Sequence, residues 1–429
     1  MRGGAWAYLA AWDVHRAKVF GRCEDTTGIA PFERLVDQVM SQPPYRDACR
    51  MDHGLTDHPP MDHKLRDRLS QFHTQFQHEL VPLTEACLGE RLTPKLEQLL
   101  RIWEMVQIER FVPVGRGWVG RPARERTVLA RAFVAKAVLG LPTTVALIER
   151  LQVDGCLRRL CGFDGRRKLP GAWLFSRAFA ELAERGLVSE AHASLIKAQL
   201  GDQLIGHIAR DATEIQAREK PVAAKSPVVA PSPRKRGRPR QGEIRPPVLT
   251  RIQRQMQGMS VSAMLADLPR ACDVGSKTNS KGFKSSWIGY KLHLDVADGQ
   301  IPISAVVTSA SVHDSQVAIP LATLTAARVV NLYDVMDAAY CSPLLRQHSR
   351  DLNHMPLIDH NPRGGQKIDF APHEAERFKT RTQVERVNAR LKDEFGARWV
   401  RVRGPAKVTA HLMLAVLALT ADQLLRLVT

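Results

Sequence analysis

The sequence predicts an α/β protein in two parts. Helices fill residues 64–200, and a mixed sheet flanked by helices follows over 201–429. Three observations carry this. Apolar residues recur at helical spacing through Leu96–Val112 and Arg126–Leu139. Trp287–Val296 and Ile301–Val307 instead alternate every second residue around an Asp298-Gly299 turn, which is a hairpin pattern. The run Val329–Met336 then reads as a buried strand ending in an acid, and helical spacing returns from Phe378 onward.

A chain of 429 residues has room for two or three domains. Lys and Arg total 62 against 44 acids, a net charge of +18. That excess favours a polyanionic partner, nucleic acid before membrane. The seven cysteines are scattered without a CxxC pair, so neither a disulfide framework nor a zinc ribbon is expected, and reduced cytoplasmic thiols fit. A signal peptide is not expected, because Asp13 interrupts Trp6–Trp12 before a long apolar run develops. Leu412–Leu419 is far shorter than the roughly 20 residues of a membrane span and reads as a buried helix.

Residues 1–60 form a separate start. Ala5–Val14 and Ala17–Cys23 read as two short strands and Phe32–Met40 as a short helix. Met51–His63 carries three Asp-His dipeptides, either an exposed linker or a metal-binding tract. Within 64–200, Gly140-Leu141-Pro142-Thr143 closes one helix and caps the next, with Thr143 as N-cap. Helix, Gly-Pro turn, helix is the geometry of a helix-turn-helix, which binds DNA in some proteins and is only a packing unit in others. Phe175–Leu187 adds another helix.

Residues 219–250 differ in kind. Seven prolines fall between Pro221 and Pro247, and Arg234–Arg240 packs five positive charges into seven residues. Such a segment buries too little apolar surface to offset its ordering entropy, so disorder is expected. Arg236, Arg238 and Arg240 suit a hook entering a narrow minor groove; a basic tether is the alternative.

Acids then stand where chemistry is possible. Gly206–Ala217 reads as a short strand carrying Asp211, with Thr213 on the same face. Asp334 and Asp337 point to opposite sides of the Val329–Asp337 strand, and Asp337 stands at its end, where a loop opens toward a site. Phe378, Arg381, Glu385 and Lys392 follow at steps of three, four and seven residues, one stripe of a helix whose other face is Val384, Val387 and Leu391. That stripe either holds a metal ion beside DNA phosphates or is a solvated face with an Arg381–Glu385 pair. Clustered carboxylates raise one another's pKa and are tolerated around divalent cations. Mg²⁺ prefers such oxygens, and two ions roughly 3.5–4 Å apart clamp the attacking and leaving oxygens of a phosphodiester.

Asp211-Ala212-Thr213, Asp337-Ala338-Ala339-Tyr340 and Phe378-x2-Arg381-x3-Glu385-x6-Lys392 resemble the three catalytic blocks of bacterial insertion-sequence DDE transposases. The last block resembles their Tyr-Arg-Glu-Lys signature, with Phe378 in place of the tyrosine, a change that removes one hydroxyl. The resemblance covers roughly 64–429, including Trp287–His293 and His313-Asp314. It implies a ribonuclease-H-like catalytic domain over 201–429, preceded by an all-helical DNA-binding domain. It further implies two Mg²⁺ ions (with Mn²⁺ as a substitute) on Asp211, Asp337 and Glu385, and Arg381 and Lys392 on the transposon-end backbone. The partners it implies are terminal inverted repeats and target DNA, with a homodimer in the synaptic complex, in the cytoplasm at the nucleoid. Residues 4–48 resemble a truncated piece of another transposase group through Tyr8–Val14 and Val19-Phe20-Gly21, with Asp13 non-catalytic.

Other residues invite structural readings. His313-Asp314 suits a supporting role, Trp287 a half-buried hairpin position or a base-stacking one, and Arg363-Gly364-Gly365 a phosphate-contact turn or a flexible one. The alternatives to an active transposase are an inactive or domesticated DNA-binding derivative and a nuclease acting on RNA–DNA hybrids.

Overall fold

The computed structural model describes residues 7–13, 18–24, 34–35, 38–39, 63–113, 126–163, 169–222, 249–278, 282–362 and 365–428. The chain divides into two units, Met1–Asp62 and His63–Thr429. In the first, β1 (Ala7–Asp13) and β2 (Lys18–Glu24) pair antiparallel from Ala7↔Glu24 to Asp13↔Lys18. Arg34–Leu35 and Gln38–Val39 are helical, inside the helix expected over Phe32–Met40. The Asp-His tract up to Asp62 lies outside the described residues.

In the second unit the elements described up to Leu200 are helical. α1 (His63–Gln75) runs through a π-helical turn into α2 (Val81–Leu88). α3 (Pro94–Val106), α4 (Arg126–Val138), α5 (Thr144–Val153), α6 (Gly155–Leu160), α7 (Ala172–Glu184) and α8 (Leu187–Leu200) follow. The punctuation works as the residue types dictate. Gly140 takes φ +61° to end α4, and the Thr143 hydroxyl accepts from Ala146 N at 3.0 Å to start α5. Phe133 meets Phe175 and Phe179 edge-on, at 6.2 and 5.0 Å between ring centroids.

The mixed sheet has seven strands: β3 (Leu204–Ala217), β4 (Asp273–Thr278), β5 (Lys284–Ala297), β6 (Ile301–Ser309), β7 (Val330–Met336), β8 (Met355–Ile358) and β9 (Trp399–Val400). The strand expected as short around Asp211 is 14 residues long. It is central, antiparallel to β5 on one side and parallel to β7 on the other. The expected hairpin forms between β5 and β6. β5 also pairs with β4, and it turns away from β3 at Gly289, whose φ is +153°. A Cβ there would lie 2.1 Å from Ile215 O, so only glycine allows the approach.

Among the helices of this part are α9 (Arg251–Met256), α10 (Val261–Asp267), α11 (Ala318–Ala326), α12 (Pro343–Asp351), α13 (Pro372–Phe378), α14 (Thr382–Asp393) and α15 (Pro405–Arg426). α11 packs on β5 and β6, and α14 on β3 and β5. α15 is long and apolar enough to cross a membrane, but 94% of its apolar window is buried against α3, α4, α7, α8 and β6. It is the core helix that joins the helical part to the sheet.

One expectation needs correction. Phe378, Arg381, Glu385 and Lys392 do not share one α-helix. Phe378 ends α13, Lys379–Arg381 tighten into a 3₁₀ turn, and α14 begins at Thr382. The cause is local. The hydroxyls of Thr380 and Thr382 donate back to Arg377 O (2.7 Å) and Lys379 O (3.0 Å), pulling carbonyls out of the α-helical pattern.

Candidate active site

β3 sets the site by register. Arg210 on β3 lies beside Met336 on β7 across a parallel ladder, so the next residues, Asp211 and Asp337, come together where β7 ends. Asp337 does not continue the strand. Its Oδ1 accepts from Ala339 N at 3.0 Å and caps the turn Ala338–Tyr340. On α14, Asn388 Nδ2 donates to Asp211 Oδ2 at 3.3 Å.

The electrostatics mark these carboxylates as strained by burial and by each other. Burial, helped by Asp337 and Asp314, pushes the Asp211 carboxyl up to about 7, although Ala212 N–H and Arg381 oppose the rise. Burial and Asp314 also raise Asp337 against the opposing pull of Ala339 N–H and Arg381. Asp314 follows β6 and is held by Lys291 Nζ at 2.9 Å. Its neighbour His313 is exposed and caps its own turn, accepting from Ser315 N at 3.4 Å, which gives His313 a structural part.

Glu385 stands apart from the acidic pair. Its side chain is 51% exposed and bound to Arg381 Nη2 at 2.6 Å, the i,i+4 pair anticipated for a solvated face. Arg381 nonetheless bears on both regions, because its charge also lowers Asp211 and Asp337. Lys392 is half-buried on α14, and burial lowers its pKa, with Lys277 and Arg398 adding to the effect and Glu214 and Asp211 opposing it. No ion pair holds its ammonium among the described residues. Trp287 is buried, and its Nε1 donates to Tyr290 O at 3.2 Å, which is the structural role. Arg236, Arg238, Arg240 and Arg363-Gly364 lie outside the described residues.

Among the described residues, no three His, Cys, Asp or Glu side chains stand ready to hold a metal ion. The Asp211–Asp337 pair still fits a hard divalent cation, for two reasons. Its oxygens are the right donors and its charge lacks a counter-ion in direct contact. Buried orphans also surround it: Tyr340 Oη and Asn388 Oδ1 have no hydrogen-bond partner. Asn388 and Tyr340 were silent as single residues in the sequence. Asn388 lies one helical turn after Glu385, and that spacing is the signal that could have found it.

Residues 203–421 match the family model described as Transposase DDE domain, and residues 87–181 match the one described as Transposase domain (DUF772). No curated protein and no solved structure matches the chain significantly. The first match alone spans just over half of the 429 residues, from the start of β3 into α15, and so contains Asp211, Asp337 and the whole sheet. The chain belongs to the DDE-domain transposase family.

Proposed function

We propose that the protein is the transposase of an insertion sequence, which binds the element's terminal inverted repeats, cuts a strand at each end and joins it to target DNA. The observation that carries the reading is the β3–β7 register, which sets Asp211 against Asp337 with Arg381 between them and Glu385. In this reading the sheet is the ribonuclease-H-like domain of the family, and Asp211, Asp337 and Glu385 are its catalytic acids.

Asp211 and Asp337 hold the divalent cation, with Glu385 completing the set. Bound there, Mg²⁺ (or Mn²⁺), as two ions, neutralises charge on the attacking and leaving oxygens of the phosphodiester. Arg381 changes partners: a DNA phosphate takes its guanidinium and frees Glu385 to turn toward the aspartates. Lys392, with no ion pair to break, takes a neighbouring phosphate. Arg236, Arg238 and Arg240 add backbone or minor-groove contacts, and the helical part over 64–200 reads the repeat. Binding therefore weakens as salt rises. Two ends must be held at once, so a homodimer forms the synaptic complex, in the cytoplasm.

The test is excision and reinsertion of a marker flanked by the gene's own bordering DNA, with wild type beside Glu385→Ala. Movement by the wild type alone supports the reading. Binding of the flanking DNA by both without movement by either assigns the protein to inactive, DNA-binding derivatives. Equal movement with both sinks the metal-site assignment.

A further inference from the structure

Tyr340 is 1% exposed, and its Oη has no hydrogen-bond partner among the described residues. Met264, Ile319, Met336, Leu345 and Ile358 pack the ring. Its backbone N–H donates to Asp337 O at 3.1 Å, so the turn that Asp337 caps also fixes the phenol beside it. Burial, together with the charges of Asp314, Asp211 and Asp337, pushes its ionisation far above the ordinary tyrosine value. The phenol is therefore an O–H donor at any working pH, facing three carboxylates it does not touch.

A buried hydroxyl without a partner costs stability, and phenylalanine would fill almost the same volume without that cost. Asn388 poses the same question from α14. Its Nδ2 is used by Asp211, while its buried Oδ1 accepts nothing. An unused donor and an unused acceptor, both associated with Asp211, leave hydrogen bonds for an ordered oxygen that the unloaded chain does not supply. An apolar alternative at either position would remove the penalty, so the orphans make physical sense only if a partner arrives.

We propose that Tyr340 is a positioning residue whose O–H donates to an oxygen arriving with the divalent cation on the Asp211–Asp337 pair. The proposal rests on the metal-site reading above and adds a residue to it. Tyr340 itself holds no cation; it orients what the carboxylates bind.

The experiment follows Mn²⁺ binding to the full chain by electron paramagnetic resonance of the free ion, with thermal melting with and without Mn²⁺. Wild type, Tyr340→Phe and Asp337→Asn are compared. Wild type should bind Mn²⁺ and melt higher with it. Tyr340→Phe should melt without Mn²⁺ at or above the wild-type temperature, because it loses only an unpaired hydroxyl, yet bind Mn²⁺ about tenfold more weakly. Equal Mn²⁺ affinity in Tyr340→Phe overturns the proposal and leaves the metal site standing. A lower ion-free melting temperature in Tyr340→Phe also overturns it, by showing that the hydroxyl is already satisfied. If wild type binds no more Mn²⁺ than Asp337→Asn, the metal-site reading fails and takes the proposal with it.

Discussion

Arg210 and Asp211 are consecutive on β3 and face opposite ways, one into a finished network and the other into an unfinished one. Arg210 donates from Nε and Nη2 to both oxygens of Asp295, at 2.7 and 2.8 Å, and Asp295 also accepts from Thr325 Oγ1 at 2.6 Å. Asp334 accepts from Asn331 and lies 3.2 Å from His354. Burial alone would raise Asp334, but the His354 hydrogen bond and the Arg210 charge hold its carboxyl down at about 2. Across the strand, Asp211 meets a second carboxylate, one long hydrogen bond and an orphaned phenol. Both sets are buried charges. Burial therefore does not distinguish scaffold from site; the completeness of pairing does, because an incomplete set costs stability that only a ligand can return.

The sharpest way to break this comparison is to remove one acid from each set. Asp337→Asn should cut excision by at least about a thousandfold, the scale of losing one member of a catalytic unit, while the melting temperature holds or rises. A large drop in melting temperature would place Asp337 with the scaffold. Asp295→Ala should do the reverse in cause. Stranding Arg210 without its partner costs about 3–5 kcal/mol, read by urea denaturation, and activity falls only through unfolding. A near-neutral Asp295→Ala would show that the Arg210 network is not the anchor described.

Lys136 on α4 sharpens the comparison from a distance, as a buried charge with almost no pairing. Its Nζ lies 3.4 Å from His411 Nδ1, and burial lowers Lys136 to about 8. His411 is pushed down to about 3 by burial and by Lys136, so it offers no opposite charge. The sign follows from a depressed folded-state pKa: the stabilising share is complete above about 10.5, the unfolded value, and is lost as pH falls through about 8. At neutral pH the cost is about 3 kcal/mol, so Lys136→Met should stabilise by up to that amount. The gain should shrink between pH 8 and 10.5. A gain that stays constant across that window would mean that Lys136 does not titrate as described.

Local chemistry in the chain decided a good deal. The Gly140–Thr143 stop and start, the β5–β6 hairpin, β7 ending at Asp337 and the buried Leu412–Leu419 helix were all legible. Each follows from residue type and a period of two or 3.6 over a few neighbours. Asp337 could be preferred to Asp334 for the same reason, since position along a strand is a local property. Tertiary structure alone decided the rest. The Arg210–Asp295 pair, the approach of Asn388 to Asp211 and the orphaned Tyr340 hydroxyl depend on strand register and helix packing between distant residues. Even the Arg381–Glu385 pair, one of two readings the spacing allowed, was chosen by the fold. Spacing tells which side chains share a face, but a face has no partner until another element packs against it, and only then is a buried charge either satisfied or left waiting.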